Sequence, residues 1–115
     1  MRIAMFSWES LHSISVGGIA AHVTELAVAL RRKGHDVHVF TRPGYGSGGA
    51  YPIDGVWYHY CPYKTSYNFI DEIQDMCRSF VWHFFQEEDR YGHFDVIHAH
   101  DWLAANAMVW IKQKK

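Results

Sequence analysis

This sequence contains few cysteines and has a net charge close to zero. The two cysteines, Cys61 and Cys77, are too few for a disulfide framework and form no metal-type pair, so they indicate reduced structural thiols in a cytoplasmic protein. The formal net charge of −1 provides no electrostatic footprint for nucleic acid, and the cationic run 31–33 is too short to create one. These scarcities exclude a disulfide-bonded scaffold and argue against a nucleic-acid partner.

Long apolar runs are also missing. The apolar stretch at residues 3–6 gives way at once to Trp8 and Glu9, so it is too short for a signal peptide or a membrane span. Hydrophobic residues make up 49% of the chain and charged residues 20%, a balance typical of a globular rather than a disordered protein. We therefore expect a soluble, cytoplasmic domain with no membrane span.

Runs of apolar and β-branched residues alternate with helical patterns along the chain. The predicted strands are residues 3–6, 37–41, 56–60 and 94–99. The predicted helices are residues 19–33, 66–89 or 68–89 (depending on whether Ser66 or Asn68 is the cap), and 103–112. The segment 42–55 is rich in glycine and proline, which predicts a loop. This order predicts an α/β, doubly wound parallel sheet, and because only four strands precede the last helix we expect it to be truncated.

The two longer predicted helices have apolar stripes at helical spacing, which predict the faces that pack on the sheet. The stripe of the first consists of Ile19, Val23, Leu26, Ala27 and Leu30. The stripe of the second consists of Phe69, Ile73, Met76, Cys77, Phe80 and Phe84.

Gly17 and Gly18 stand directly before the first predicted helix. In an open parallel sheet ligands bind beyond the carboxyl ends of the strands, where this helix begins. Glycines let a ligand approach the backbone, and the helix N-terminus favours an anion such as a diphosphate. The alternative is that the pair only makes a tight turn. The pattern is not G-x-G-x-x-G, which argues against a nicotinamide dinucleotide.

His100 follows the last predicted strand. There an imidazole can exchange hydrogen bonds with a sugar hydroxyl or act as an acid or base, or it can simply satisfy local backbone groups. His98 lies deeper on the same strand face, which favours a packed structural histidine. Asp101 is interpreted as a helix cap rather than a chemical group. His22 and Glu9 are further candidates for contacts with a sugar or an acceptor hydroxyl.

Histidine pairs also raise the question of a metal. Neither His35 with His38, nor His98 and His100 with Asp101, forms a complete ligand set of known spacing. We therefore predict no metal and no cofactor.

Several segments together resemble the opening of GT-B-fold glycosyltransferases. They are residues 7–9, 16–23, 25–26 with Leu30, 33–39 and 94–103. The element His100-Asp101-Trp102 is similar to that of bacterial and archaeal glycogen and starch synthases and their retaining relatives. The resemblance covers nearly the whole chain, and segment 42–91 contributes least to it.

The resemblance implies a two-domain enzyme of Rossmann-like halves, of which residues 1–115 are an incomplete N-terminal, acceptor-side domain and the C-terminal donor-binding domain is absent. Such an enzyme transfers glucose or a similar sugar, with retention, from UDP- or ADP-glucose to a glucan or other acceptor, and uses no metal. It implies that Gly17 and Gly18 bind the donor diphosphate and that His100 lies against the transferred sugar, in the catalytic site.

One departure from the resemblance concerns the residues before the glycine pair. Ser15 and Val16 stand where bacterial-type synthases often have Lys-Thr, so a phosphate-binding lysine is missing and a broader group of retaining transferases is favoured over ADP-glucose specificity. We expect the chain alone to be inactive. The alternatives are a stand-alone glycan- or phosphosugar-binding or regulatory module without catalysis, or a degraded gene product without function.

Overall fold

The computed structural model describes residues 1–8, 18–43, 48–63, 67–100 and 104–114, with only the backbone of residues 18–20. The strands are β1 (Arg2–Phe6), β2 (Asp36–Thr41), β3 (Gly49–Ile53), β4 (Val56–Tyr60) and β5 (Val96–Ala99). The helices are α1 (Gly18–Arg32), α2 (Phe69–Tyr91) and α3 (Ala105–Lys114). The sheet order is β3-β4-β2-β1-β5, with only β3 antiparallel to its neighbour. The predicted α/β class and the alternation of strands and helices are confirmed.

The prediction that residues 42–55 form a loop is wrong, because β3 lies within this segment and pairs with β4. Asp54 and Gly55 join the two strands, and both have positive φ, 53° and 79°. This is the geometry of a two-residue type I′ hairpin turn, for which Asp-Gly is a preferred sequence. Pro52 is tolerated because β3 is at the edge of the sheet. The Asp-Gly pair was therefore the signal for this hairpin, and the surrounding glycines and prolines obscured it.

Helices cover both faces of the sheet, as a doubly wound fold requires. On one face Met5, Val39 and Tyr58 pack with Val23 and Ala27 of α1, and all five are fully buried. This arrangement confirms the predicted stripe of α1 at Val23 and Ala27, while the side chain of Ile19 lies outside the described residues.

The opposite face packs on α2 and α3 and is strongly aromatic. The Phe6 and Phe40 rings stack with centroids 5.2 Å apart, and Phe84 lies 5.8 Å from Phe6. Such ring pairs add about 0.5–1.5 kcal/mol each to the effect of burial. The predicted stripe of α2 is confirmed from Ile73 to Phe84. Phe69 is 49% exposed, contrary to the prediction, because it occupies the first turn ahead of the part of the helix that packs on the sheet.

The ends of α2 follow from local side-chain and backbone chemistry. Asn68 is the N-cap, and its side-chain oxygen accepts hydrogen bonds from the backbone of Ile70 at 2.9 Å and of Asp71 at 3.3 Å. Gly92, with φ of 110°, ends the helix and donates its backbone N–H to the Glu88 carbonyl. The cap at Asn68 is one of the two predicted alternatives.

Two further expectations concern the thiols and the membrane. Cys61 and Cys77 are both buried and form no disulfide, and burial raises the pKa of the Cys61 thiol well above its ordinary value. A thiol held protonated in this way is unreactive, which fits a structural role. Within the described ranges, none of the helices combines the length and apolar character needed to cross a bilayer.

Candidate functional site

The carboxyl ends of β1 and β5 define one edge of the sheet, and His100 lies at this edge. These two strands are parallel neighbours with Phe6 opposite Ala99. The backbone N–H of His100 donates to the Phe6 carbonyl at 2.9 Å, which fixes the residue directly after β5. This is the position where ligands bind in open parallel sheets.

Helix α1 brings His22 to the same edge. The ring centroids of His22 and His100 are 6.0 Å apart in an edge-to-face arrangement. Gly18 is the first residue of α1, one helical turn before His22. The structure thus places the N-terminal turns of α1 beside His100, on one edge of the sheet, as the sequence analysis expected.

His98 stacks on His100, with ring centroids 4.3 Å apart and an interplanar angle of 17°. The two rings therefore share a strand face, as predicted. The prediction that His98 is packed is wrong, because its side chain is exposed. Helix α1 packs over β2 and β4 rather than over β5, so it does not cover this part of the face.

His100 is held in its neutral form. Burial, followed by the nearby His98 and His22 rings, lowers its pKa from 6.5 to about 4. A neutral imidazole has one N–H donor and one lone-pair acceptor. The Nε2 atom of His100 is buried and has no hydrogen-bond partner among the described residues. A buried polar atom of this kind is costly unless something pairs with it, so Nε2 is a candidate ligand-binding atom at this edge.

Arg42 is a further polar residue at this edge that the sequence analysis did not identify. It follows β2, its guanidinium lies 3.9 Å from the centre of the Trp8 ring, and its Nε donates to the Trp8 carbonyl at 2.5 Å. Only 9% of Arg42 is exposed, and one terminal nitrogen has no hydrogen-bond partner within the described ranges. A buried guanidinium at the end of a central strand was not recognisable from sequence, because arginine directly after a strand is common on surfaces.

Three of the candidate residues, Glu9, Gly17 and Asp101, lie outside the described residues. Gly18 is described through its backbone alone. Their proposed contacts with a diphosphate, a sugar or an acceptor therefore stay predictions. Among the described residues His35 does not join His38 in a group that could hold a metal ion, and its Nδ1 lies 3.1 Å from the amino group of Met1.

Comparison with known proteins finds glycosyltransferases. Residues 17–115 match the family described as "Glycosyl transferase 4-like domain". Over 108 residues the chain is 34% identical to an uncharacterized glycosyltransferase of Methanocaldococcus jannaschii. The match covers 90% of this chain and 25% of that protein, so the chain spans about a quarter of the length of this curated relative.

Two solved structures share the fold. Sucrose-phosphate synthase from Thermosynechococcus elongatus superposes with a TM-score of 0.77 and 21% identity, covering 99% of this chain and 30% of that one. The catalytic domain of Starch Synthase IV from Arabidopsis thaliana, bound to ADP and acarbose, gives a TM-score of 0.69 and 20% identity, covering 94% of this chain and 30% of that one. The expected likeness to part of a GT-B fold is confirmed.

Proposed function

Because this chain belongs to the family of glycosyl transferase 4-like domains, we propose that it is the acceptor-side part of a nucleotide-sugar-dependent glycosyltransferase. The reaction is transfer of glucose or a similar sugar, with retention, from UDP- or ADP-glucose to a glucan or other glycosyl acceptor. The transfer step needs no metal and no cofactor. The starch synthase that shares the fold was solved with ADP and acarbose, a nucleotide and a saccharide, which supports this class of ligands.

The observation that carries the proposal is the buried Nε2 atom of His100, which lacks a partner among the described residues at the ligand-binding edge of the sheet. Sugar hydroxyls both donate and accept hydrogen bonds, so a neutral imidazole can pair with one whichever of its nitrogens is protonated. His100 would orient the transferred sugar rather than attack it, and orientation alone contributes substantially to catalysis.

The N-terminal end of α1 supplies the second half of the proposed site. The first N–H groups of a helix have no partner within the helix, and together with the positive end of the helix dipole they favour an anion by about 0.3–1 kcal/mol. The leaving group of the reaction is a nucleoside diphosphate, on which negative charge grows as the glycosidic bond breaks. Preorganised N–H groups at Gly17 and Gly18 would stabilise that charge without reorganisation.

The chain spans only about three tenths of the matched synthase structures. We therefore propose that transfer requires further protein in addition to these residues, and that the 115-residue chain alone is inactive. Sugar transfer from UDP- or ADP-glucose by the purified chain would contradict this part of the proposal, whatever the role of His100.

The role of His100 is tested in an active enzyme that contains this domain. Replacing His100 with alanine should lower kcat by about a hundredfold, the scale expected when a positioned substrate loses its orientation. The thermal midpoint should change little, because His100 follows a strand rather than filling the core. His98→Gln is the matched control and should retain most activity. Unchanged turnover in His100→Ala would remove this residue from the site.

Binding can be tested on the chain itself. Histidine ring signals in NMR spectra of isotope-labelled chain should show His100 responding to maltooligosaccharide, and exposed His93 should not respond. A response to saccharide together with no effect of UDP- or ADP-glucose would instead favour a glycan-binding module. No response at His100 to any of these ligands would contradict the proposed site.

A further inference from the structure

A second polar cluster lies on the face of the sheet that carries α2, away from His22 and His100. His38 of β2, His59 of β4 and Glu87 of α2 converge there. The Nδ1 atom of His38 lies 2.8 Å from Nε2 of His59 and 3.7 Å from Oε1 of Glu87. We propose that these three residues bind a Zn²⁺ ion, at a site separate from the proposed transfer site.

The spacing of the three ligand atoms fits a tetrahedral ion. All three lie within 4.8 Å of one another. Zn–N and Zn–O bonds of about 2.0–2.2 Å place neighbouring ligand atoms of a tetrahedron about 3.3 Å apart. Two of the three separations, 2.8 and 3.7 Å, lie on either side of that value, and the third is at most 4.8 Å. Binding an ion therefore requires His59 and Glu87 to approach each other by no more than about 1.5 Å.

A carboxylate orients one of the imidazoles. Asp36 Oδ1 lies 3.0 Å from Nε2 of His38, and because a carboxylate only accepts, this nitrogen is the protonated one. The Nδ1 lone pair of His38 then points toward His59 and Glu87. Asp36 is itself fixed by the Nε atom of Arg2 at 2.9 Å. A carboxylate behind a histidine is the usual outer-shell arrangement of protein zinc sites.

Burial and access also suit a bound ion. The side chains of His38 and His59 are only 4% and 6% exposed, so they are held in place by the surrounding core. Both rings line a cavity of about 500 Å³ together with Glu87, which provides a path for entry and room for a water ligand.

The donor set favours zinc over other common ions. Two imidazole nitrogens and one carboxylate oxygen, with a fourth position open to water, are typical Zn²⁺ ligands, whereas Mg²⁺ and Ca²⁺ prefer oxygen ligands. The sequence predicts no metal, because its histidine groups that are close in sequence form no complete ligand set. Here the ligands come from two strands and a helix, and the ion would tie β2, β4 and α2 together.

The site is tested by titrating Zn²⁺ into the chelator-treated chain, with calorimetry and thermal unfolding as measurements. We expect one tightly bound ion and a rise in the thermal midpoint. His59→Gln and Glu87→Gln should weaken Zn²⁺ binding at least tenfold, and Asp36→Asn about tenfold, the scale found for outer-shell carboxylates. His98→Gln is the control for the neighbouring histidines at the other site, and it should bind Zn²⁺ like the parent chain.

A measurement on the unsubstituted chain tests the proposal even if the variants fail to fold. Histidine ring signals in NMR spectra should shift for His38 and His59 on addition of Zn²⁺, while His93 should not move. No binding, or shifts confined to His98 and His100, would overturn the proposal and leave His38 and His59 as a hydrogen-bonded pair. Equal affinity in a folded His59→Gln variant would overturn it too.

Discussion

Glu88 fixes the segment that leads into β5, the strand that His100 follows, and replacing Glu88 with alanine should destabilise the chain. Its Oε2 atom accepts the backbone N–H of Phe94 at 2.9 Å, and its side chain is only 4% exposed. Phe94 is itself 5% exposed and packs its ring 5.1 Å from that of Phe84. Truncating Glu88 therefore removes the acceptor of a buried N–H group where the chain enters β5.

The size of the effect follows from this contact. A hydrogen bond to a charged group contributes about 1.5–3 kcal/mol, and a buried donor left without its partner costs about 1–3 kcal/mol. We expect Glu88→Ala to lower the free energy of unfolding by about 2–3 kcal/mol. Glu88→Gln keeps an oxygen that accepts from Phe94 but loses the charge, so about 1 kcal/mol is expected.

Urea unfolding followed by circular dichroism measures this difference. With a slope of about 1–3 kcal/mol per M urea, Glu88→Ala should move the midpoint down by roughly 0.7–3 M. Asp89→Ala is the matched control, because Asp89 is exposed on the same helical turn. A loss below about 0.5 kcal/mol for Glu88→Ala, the range of ordinary surface substitutions, would refute the reasoning.

Two other outcomes follow from the structure. Asn68→Ala removes the cap of α2 and should cost about 1 kcal/mol in urea unfolding, whereas Asn68→Ser should cost much less; equal losses would rule out capping as the cause. The ring of His100 should titrate near pH 4, because its folded-state pKa lies below the 6.5 of an ordinary histidine. The stability that the neutral His100 ring contributes should therefore be complete above pH 6.5 and fall as the pH drops toward 4. This pH dependence should be missing in His100→Gln. NMR titration checks this, and an ordinary pKa would contradict the burial of the ring.

Much of the fold could be predicted from sequence because its signals are local. The β-branched and aromatic run Val56–Tyr60 predicts a strand with the observed bounds, and the observed cap of α2, Asn68, is one of the two predicted caps. The hairpin at Asp54 and Gly55 had an equally local signal, which was missed because glycine and proline were interpreted only as breakers. Edge strands such as β3 tolerate glycine and proline residues that central strands exclude.

The remaining features depend on how elements pack, which a single sequence does not specify. His38 lies opposite Trp57 and His59 lies opposite Phe40, so the two histidines meet only on the diagonal of the β2–β4 register. Their contact with Glu87 depends further on the rotation of α2. The exposure of His98 likewise depends on which strands α1 covers, and the position of α1 on the sheet depends on how all the core residues pack.

The proline in β3 has a consequence for how this sheet can meet other molecules. β3 is the edge strand on one side of the sheet, and the backbone groups on its outer edge could pair with an extended strand of another molecule. Pro52 has no N–H to contribute to such pairing, so a hydrogen-bond ladder that formed along this edge would be interrupted at Pro52. We expect this side of the sheet to resist intermolecular strand addition, and so to limit fibril-like self-association.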